Sequence, residues 1–201
     1  MIERKPEGFY VDRCIQRVPL PGVKRGENVL LVTLPYAKRV SLERTYLLGE
    51  FGVAVSGEET KLVPAPASVG FDDITRIGFP FFSGVFRYEI PFASDGGELT
   101  LVVPHYRGAL VAVVLDGERV GRVVYPPYRL SLGAPAAGKH TLTLSLFVSR
   151  QNGFGPLHNA DEKRSWEGPD AWRSGDDKWT DSYRLTREGV LTKPILTEKD
   201  K

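Results

Sequence analysis

All three tryptophans of the chain, Trp166, Trp172 and Trp179, fall within fourteen positions. The stretch around them is rich in Gly, Asp and Ser and carries no strand pattern. A flat indole on a polar loop stacks well on the apolar C–H face of a pyranose, while Asp, Asn or Arg at its rim bonds the hydroxyls. For any one of these rings the favoured reading is that it pins the long loop to the scaffold, since a loop of that length needs anchors to be ordered, with at least one ring expected to stay exposed. Upstream, Arg150 and Asn152 end a strand-like run and His158 follows Gly155-Pro156-Leu157. Polar side chains therefore gather at one rim. Trp166, Trp172, Trp179, Arg150, Asn152 and His158 form the candidate ligand-binding set, the rings for stacking and the others for hydroxyl hydrogen bonds. Turn-forming or loop-bracing is the alternative for the polar three.

Other chemistries find less support. Acids pair at Asp72-Asp73, Glu58-Glu59 and Asp176-Asp177, but sequence neighbours on a strand point to opposite faces. Glycoside hydrolysis instead needs two carboxyls facing one bond. Ser83-Gly84 lacks the G-x-S-x-G frame of a nucleophile elbow, and Gly153-Phe-Gly155 sits in no strand–helix unit that would make it a dinucleotide fingerprint. His105 and His140 lie beside strands without metal-pair spacing and read as surface residues. A single Cys14 excludes an internal disulfide and a cysteine-based zinc cluster. Tyr106, Tyr125, Pro126-Pro127 and Tyr128 read as packing at a strand edge or hairpin.

The elements that must position the rim are strands. Leu99–Val103, Ala109–Leu115, Arg119–Tyr125 and His140–Val148 are β-branched, aromatic or alternating runs separated by turn residues. Asp116-Gly117 is the strongest turn, because a two-residue type I′ hairpin needs positive φ at both positions; strands 109–115 and 118–125 should pair across it. In 140–148, Leu142, Leu144, Leu146 and Val148 alternate with Thr141, Thr143 and Ser145, which predicts one buried face. The run 109–115 is apolar on both faces and should lie centrally. Val11–Leu20, Asn28–Leu34, Thr45–Val55, Lys61–Val63 and Phe82–Ile90 read as further strands, and a last one is expected near Ser182–Val190. Residues Leu196–Lys201 look frayed. No segment makes an amphipathic helix of twelve residues. The pattern predicts an all-β, antiparallel two-sheet jelly-roll sandwich, residues 1–201 as one domain, with a long Trp-bearing loop at about 153–180.

Composition bounds the partners. The 201 residues carry 27 Lys and Arg against 25 Asp and Glu, a net charge of +2 that gives no basis for a polyanion groove. No nucleic acid partner is expected. No run approaches the roughly 18 apolar residues of a membrane helix, and Met1–Lys5 leads into no signal-peptide core, so a soluble chain without membrane partner or signal peptide is expected.

Residues 83–158 also carry an ordered set of features: Gly84-Val-Phe-Arg-Tyr88-Glu, Leu101-Val-Val-Pro-His-Tyr106-Arg-Gly-Ala109, Val114-Leu-Asp-Gly117 with Val120-Gly121, Tyr125-Pro-Pro-Tyr128, and Leu144 to Val148 running into Asn152-Gly-Phe-Gly-Pro-Leu-His158. This order resembles the galactose-binding-like jelly-roll module of bacterial glycoside hydrolases. That group includes the sugar-binding domain of β-galactosidase and β-glucuronidase-type enzymes and accessory domains of large rhamnosidase-like proteins. The segments Leu42–Val53 and Trp166–Leu185 look like parts of large bacterial glycosidase-like proteins. The resemblance implies a non-catalytic carbohydrate-binding or accessory module, with an oligosaccharide or polysaccharide and a glycosidase catalytic domain as partners and no glycosidase activity of its own. It implies no cofactor. A structural calcium is compatible with it, yet no D-x-D-x-D-G loop is present and no ligands are assigned. The alternative is a structural interaction domain that braces a catalytic domain or self-associates without binding sugar.

Overall fold

The computed structural model describes residues 6–33, 35–38, 44–161, 168–172 and 176–199. The chain divides into two compact units, Met1–Leu47 and Leu48–Lys201.

In the first unit, β1 (Phe9–Tyr10) and β2 (Asp12–Gln16) pair antiparallel around Val11, which sits at φ 62°. The Tyr10 and Tyr46 rings meet at 6.0 Å. The strand expected over Asn28–Leu34 does not form among its described residues: 28–33 have no strand partner, and Val29 to Val32 are all exposed. Apolar β-prone composition alone does not make a strand where no neighbouring strand supplies hydrogen bonds. Leu34 lies outside the described residues.

The second unit opens with a two-stranded hairpin, β3 (Gly52–Ser56) and β4 (Glu59–Val63). Its body is built from β5 (Val85–Ser94), β6 (Glu98–Val102), β7 (Tyr106–Arg107), β8 (Leu110–Leu115), β9 (Glu118–Val123), β10 (Arg129–Gly133), β11 (Gly138–Phe147), β12 (Gly189–Val190) and β13 (Ile195–Lys199). One four-stranded sheet runs β5-β11-β8-β9, a three-stranded sheet runs β10-β6-β13, and β12 pairs with β7; every pairing is antiparallel.

Period-two patterning builds the core. Leu142, Leu144 and Leu146 on β11, Val111 and Val113 on β8, Val123 on β9, and Phe86 and Tyr88 on β5 turn to one side of the larger sheet. They share a single cluster with Leu99 and Leu101 on β6, Leu132 on β10 and the neighbouring Val103. Two sheets closing on a common interior make an antiparallel β-sandwich. The β8–β9 hairpin turns on Asp116 at φ 49° and Gly117 at φ 87°, with Leu115 opposite Glu118. Positive φ at both turn residues lets the turn follow the right-handed twist of its strands. Strand β8 lies between β11 and β9, the central position expected of it, with Val111 and Val113 on its buried face.

Two expectations are corrected at the C-terminal end. Residues 195–199 are not frayed: β13 pairs with β6 from Ile195↔Val102 to Lys199↔Glu98. Glu198 Oε1 accepts hydrogen bonds from Ser94 Oγ (2.8 Å), Asp95 N (3.0 Å) and Gly97 N (2.8 Å), tying this strand to the β5–β6 turn. The strand foreseen over Ser182–Val190 is reduced to Gly189–Val190, the rest being irregular. Among the described residues no helical segment exceeds four residues, the α-helical one being α1 (Gln151–Phe154), and no helix is long and apolar enough to cross a membrane.

Candidate functional site

Past β11 the chain leaves the larger sheet at Ser149, passes through α1 and enters the long segment that returns at β12. Two constructions hold this segment. The first is a short ladder in which Arg184 N donates to Leu157 O (2.7 Å), Thr180 N to His158 O (2.9 Å) and Ala160 N to Lys178 O (3.0 Å), with Asn159 and Trp179 bridged antiparallel. Asn159 Nδ2 also donates to Ala171 O (3.1 Å), docking the single-turn 3-10 segment Pro169–Trp172, with Ala171 itself buried.

The second construction is a buried acid cluster. Asp73 and Glu188 are only 1% and 2% exposed. Asp73 Oδ1 accepts from Thr75 Oγ1 (2.7 Å), Thr75 N (3.1 Å) and Glu188 N (3.3 Å), while Oδ2 faces Arg187 Nε at 3.4 Å and Arg76 Nε at 3.9 Å. Glu188 Oε1 accepts from Ser149 N (3.0 Å) and from the Ser149 hydroxyl. Burial pushes the Glu188 carboxyl above its ordinary range, a shift that the Ser149 bonds oppose and the Asp73 charge reinforces. These carboxylates join the 72–76 turn, the exit from β11 and the entry to β12. Both are closed to a substrate.

On this frame the candidate residues separate. Trp179 is 39% exposed but closely held: its ring stacks on His158 at 4.6 Å and 19°, and Nε1 donates to Asp181 Oδ1 at 2.9 Å. His158 Nδ1–H donates to Thr180 O (3.0 Å), and its ring meets Tyr183 at 4.6 Å; Tyr183 in turn meets Phe81 at 5.2 Å. His158 thus lies beneath the Trp179 ring. Trp172, 45% exposed, ends the 3-10 segment just after buried Ala171. Trp166 lies outside the described residues. Arg150 is exposed ahead of α1, and among the described residues its guanidinium makes no ion pair.

Asn152 is the correction within the set. It is 1% exposed, its Nδ2 donates to Thr186 O (2.7 Å) and its Oδ1 accepts from Thr186 N (2.8 Å). Both polar atoms of the amide are taken by one peptide segment, so it braces the loop and presents nothing to a ligand. Sequence reasoning also missed Asp181 and Glu188. The only local signal for Asp181 is a carboxylate two positions after an aromatic, and Glu188 carries none.

At the other end of the larger sheet, Phe92, Asp116, Lys139 and His140 line an open depression. The His140 side chain is 11% exposed and not the surface group expected of it; Nδ1 and Nε2 face Asp116 Oδ2 at 2.6 Å and Ala136 O at 2.7 Å. Among the described residues no three His, Cys, Asp or Glu side chains are grouped to hold a metal ion.

Fold and site together define an all-β antiparallel sandwich with the partly exposed rings of Trp172 and Trp179 on a long segment beyond β11. Among solved structures, the chain is similar to a rhamnosidase from Novosphingobium sp. PP1Y (21% identity, TM-score 0.44, covering 80% of this chain and 16% of that one). It is also similar to a GH2 β-galacturonidase from Eisenbergiella tayi, in a structure bound to galacturonate (20% identity, TM-score 0.39, 74% of this chain and 22% of that one) and in one bound to glycerol (20%, TM-score 0.40, 74% and 22%). The chain spans less than a quarter of the length of each. No protein-family model and no curated protein sequence matches it.

Proposed function

We propose that the chain is a non-catalytic carbohydrate-binding module of glycoside-hydrolase type that stacks a pyranose of an oligosaccharide or polysaccharide on Trp179, with Trp172 as a second ring. The observation that supports this reading is the state of Trp179: exposed, yet held in one orientation by the His158 stack and the Asp181 hydrogen bond. A ring whose only task is to anchor a loop gains by burying itself. A ring that must meet a flat ligand gains by being rigid in the open, because less freedom is lost on binding. Catalysis finds no support in the buried acids, since Asp73 and Glu188 are tied to backbone, Ser149 and arginine and a glycosidase pair must flank an accessible bond.

A glycan array probed with the wild type, Trp172→Ala and Trp179→Ala tests the reading. Binding that falls at least tenfold in Trp179→Ala supports it. Binding untouched by both changes, absence of any glycan binding, or turnover of nitrophenyl glycosides by the purified chain overturns it.

A further inference from the structure

We infer, resting on that reading, that the platform selects uncharged pyranoses over uronic acids and that Asp181 is the residue that discriminates. Asp181 Oδ1 holds the Trp179 Nε1–H at 2.9 Å. An indole N–H points outward in the ring plane, so this carboxylate lies at the edge of the platform and not beneath it. The underside is occupied by His158, stacked at 4.6 Å. A sugar therefore lies on the opposite face, its equatorial hydroxyls radiating over the indole edge.

Among the described residues Asp181 Oδ2 has no partner, and the side chain is exposed. A carboxylate is an acceptor only, with two oxygens able to serve two donors. One oxygen is used to orient the ring, and the other is placed to accept a hydroxyl of the ligand. Charge-assisted hydrogen bonds of that kind are roughly twice as strong as neutral ones. A uronic acid brings a second carboxylate to the same edge, where it repels Asp181 and offers no donor in return. Two like charges some 6 Å apart at a surface repel by about 1.4 kcal/mol, which is a tenfold change in affinity. Asp181 thus acts twice, as the residue that orients the indole and as the one that reads the ligand's charge.

The test uses two probe pairs that differ only at C6: methyl β-galactopyranoside with its uronate, and methyl β-glucopyranoside with its uronate. Binding to the full chain is followed by saturation-transfer NMR and tryptophan fluorescence at low salt. In at least one pair the neutral glycoside should bind about tenfold more tightly than the uronate. Asp181→Asn keeps an amide oxygen for Trp179 Nε1 and removes the charge; it should bring the two within about threefold, by a gain in uronate binding. Trp179→Ala should abolish both. Uronate binding as tight as neutral binding in the wild type, or a ratio unchanged in Asp181→Asn, overturns the inference and leaves the platform standing. Failure of all four probes to bind, or binding that survives Trp179→Ala, overturns the platform and the inference with it.

Discussion

Asp116, the first residue of the β8–β9 turn, accepts a hydrogen bond from His140 Nδ1–H through Oδ2 at 2.6 Å and from Thr141 N through Oδ1 at 2.8 Å. His140 Nε2–H donates at the same time to Ala136 O at 2.7 Å. Both partners of the imidazole are pure acceptors, so the form that satisfies both contacts at once is the one protonated on each nitrogen. The hydrogen bonds to Asp116 and Ala136 accordingly raise the His140 pKa, and the bonds from His140 and Thr141 lower that of Asp116.

The pair therefore stabilises the fold within a pH window. The His140 contribution is complete below its ordinary value of 6.5 and is lost as pH rises through the raised folded value; the Asp116 contribution is complete above 3.8 and is lost as pH falls through the lowered one. Asp116→Asn should bring the His140 titration down toward 6.5, as followed by its ring proton shifts. The stability gap between wild type and variant should be widest between pH 4 and 6.5 and narrow above it. A His140 titration unmoved by the change would refute the pairing.

Glu188 has the opposite sign from an ordinary surface acid. Its carboxyl is pushed up from 4.5, mainly by burial, so the folded chain binds a proton more tightly than the unfolded one does. Stability from this group is present below about pH 4.5 and declines as pH rises through the folded value. Glu188→Gln removes the charge and keeps an oxygen for Ser149. In urea melts at pH 4 to 8, the wild type should lose stability relative to Glu188→Gln as pH rises, and at pH 7 the variant should be at least as stable. A variant markedly less stable at pH 7 would show that the negative charge, not the Ser149 contact, holds the segment.

What the sequence made legible was local. The Asp116-Gly117 turn shows in its residue types because only a few tolerate positive φ, and the buried face of β11 shows in the alternation of Leu142, Leu144 and Leu146 with polar residues. Strand β13 was illegible: Glu198 and Lys199 look like a solvated tail until β6, nearly a hundred residues away, supplies the partner. The same holds at the rim. Tryptophans in a polar stretch mark a loop, but Asn152 as a buried brace depends on Thr186, 34 positions on, and Glu188 on Asp73, 115 positions back. Conversely, Asn28–Leu34 has strand composition, and its described residues have no strand partner.

Two glycines should separate backbone strain from steric conflict. Gly117, at φ 87°, has nothing within 4 Å of where a Cβ would stand; Gly117→Ala bears only the conformational cost, on the order of 1 kcal/mol. Gly189, at φ 125°, lies so close to the Asp72 carbonyl oxygen that a Cβ would collide with backbone beside Ile74. Gly189→Ala should cost about 3 kcal/mol or more and shift the denaturation midpoint accordingly. Equal midpoints for the two variants would mean that the β12 entry yields more easily than its packing implies.

Asn152 distinguishes bracing from ligand binding. Its amide meets Thr186 as donor and acceptor together, so Asn152→Ala removes two hydrogen bonds and opens a gap in a buried position. The expected cost is about 2–3 kcal/mol. Asn152→Asp is the sharper probe because its shape is nearly unchanged. A carboxylate still accepts from Thr186 N, but in place of a donor it sets a charge against Thr186 O at a side chain that is itself buried. It should destabilise the chain at pH 7 and recover part of the loss toward pH 4, where a protonated acid again donates to that carbonyl. At temperatures where either variant stays folded, glycan affinity should equal that of the wild type, because neither Trp179 nor Asp181 contacts the residue being changed. Full stability combined with lost binding in Asn152→Ala would return this side chain to the ligand-binding set.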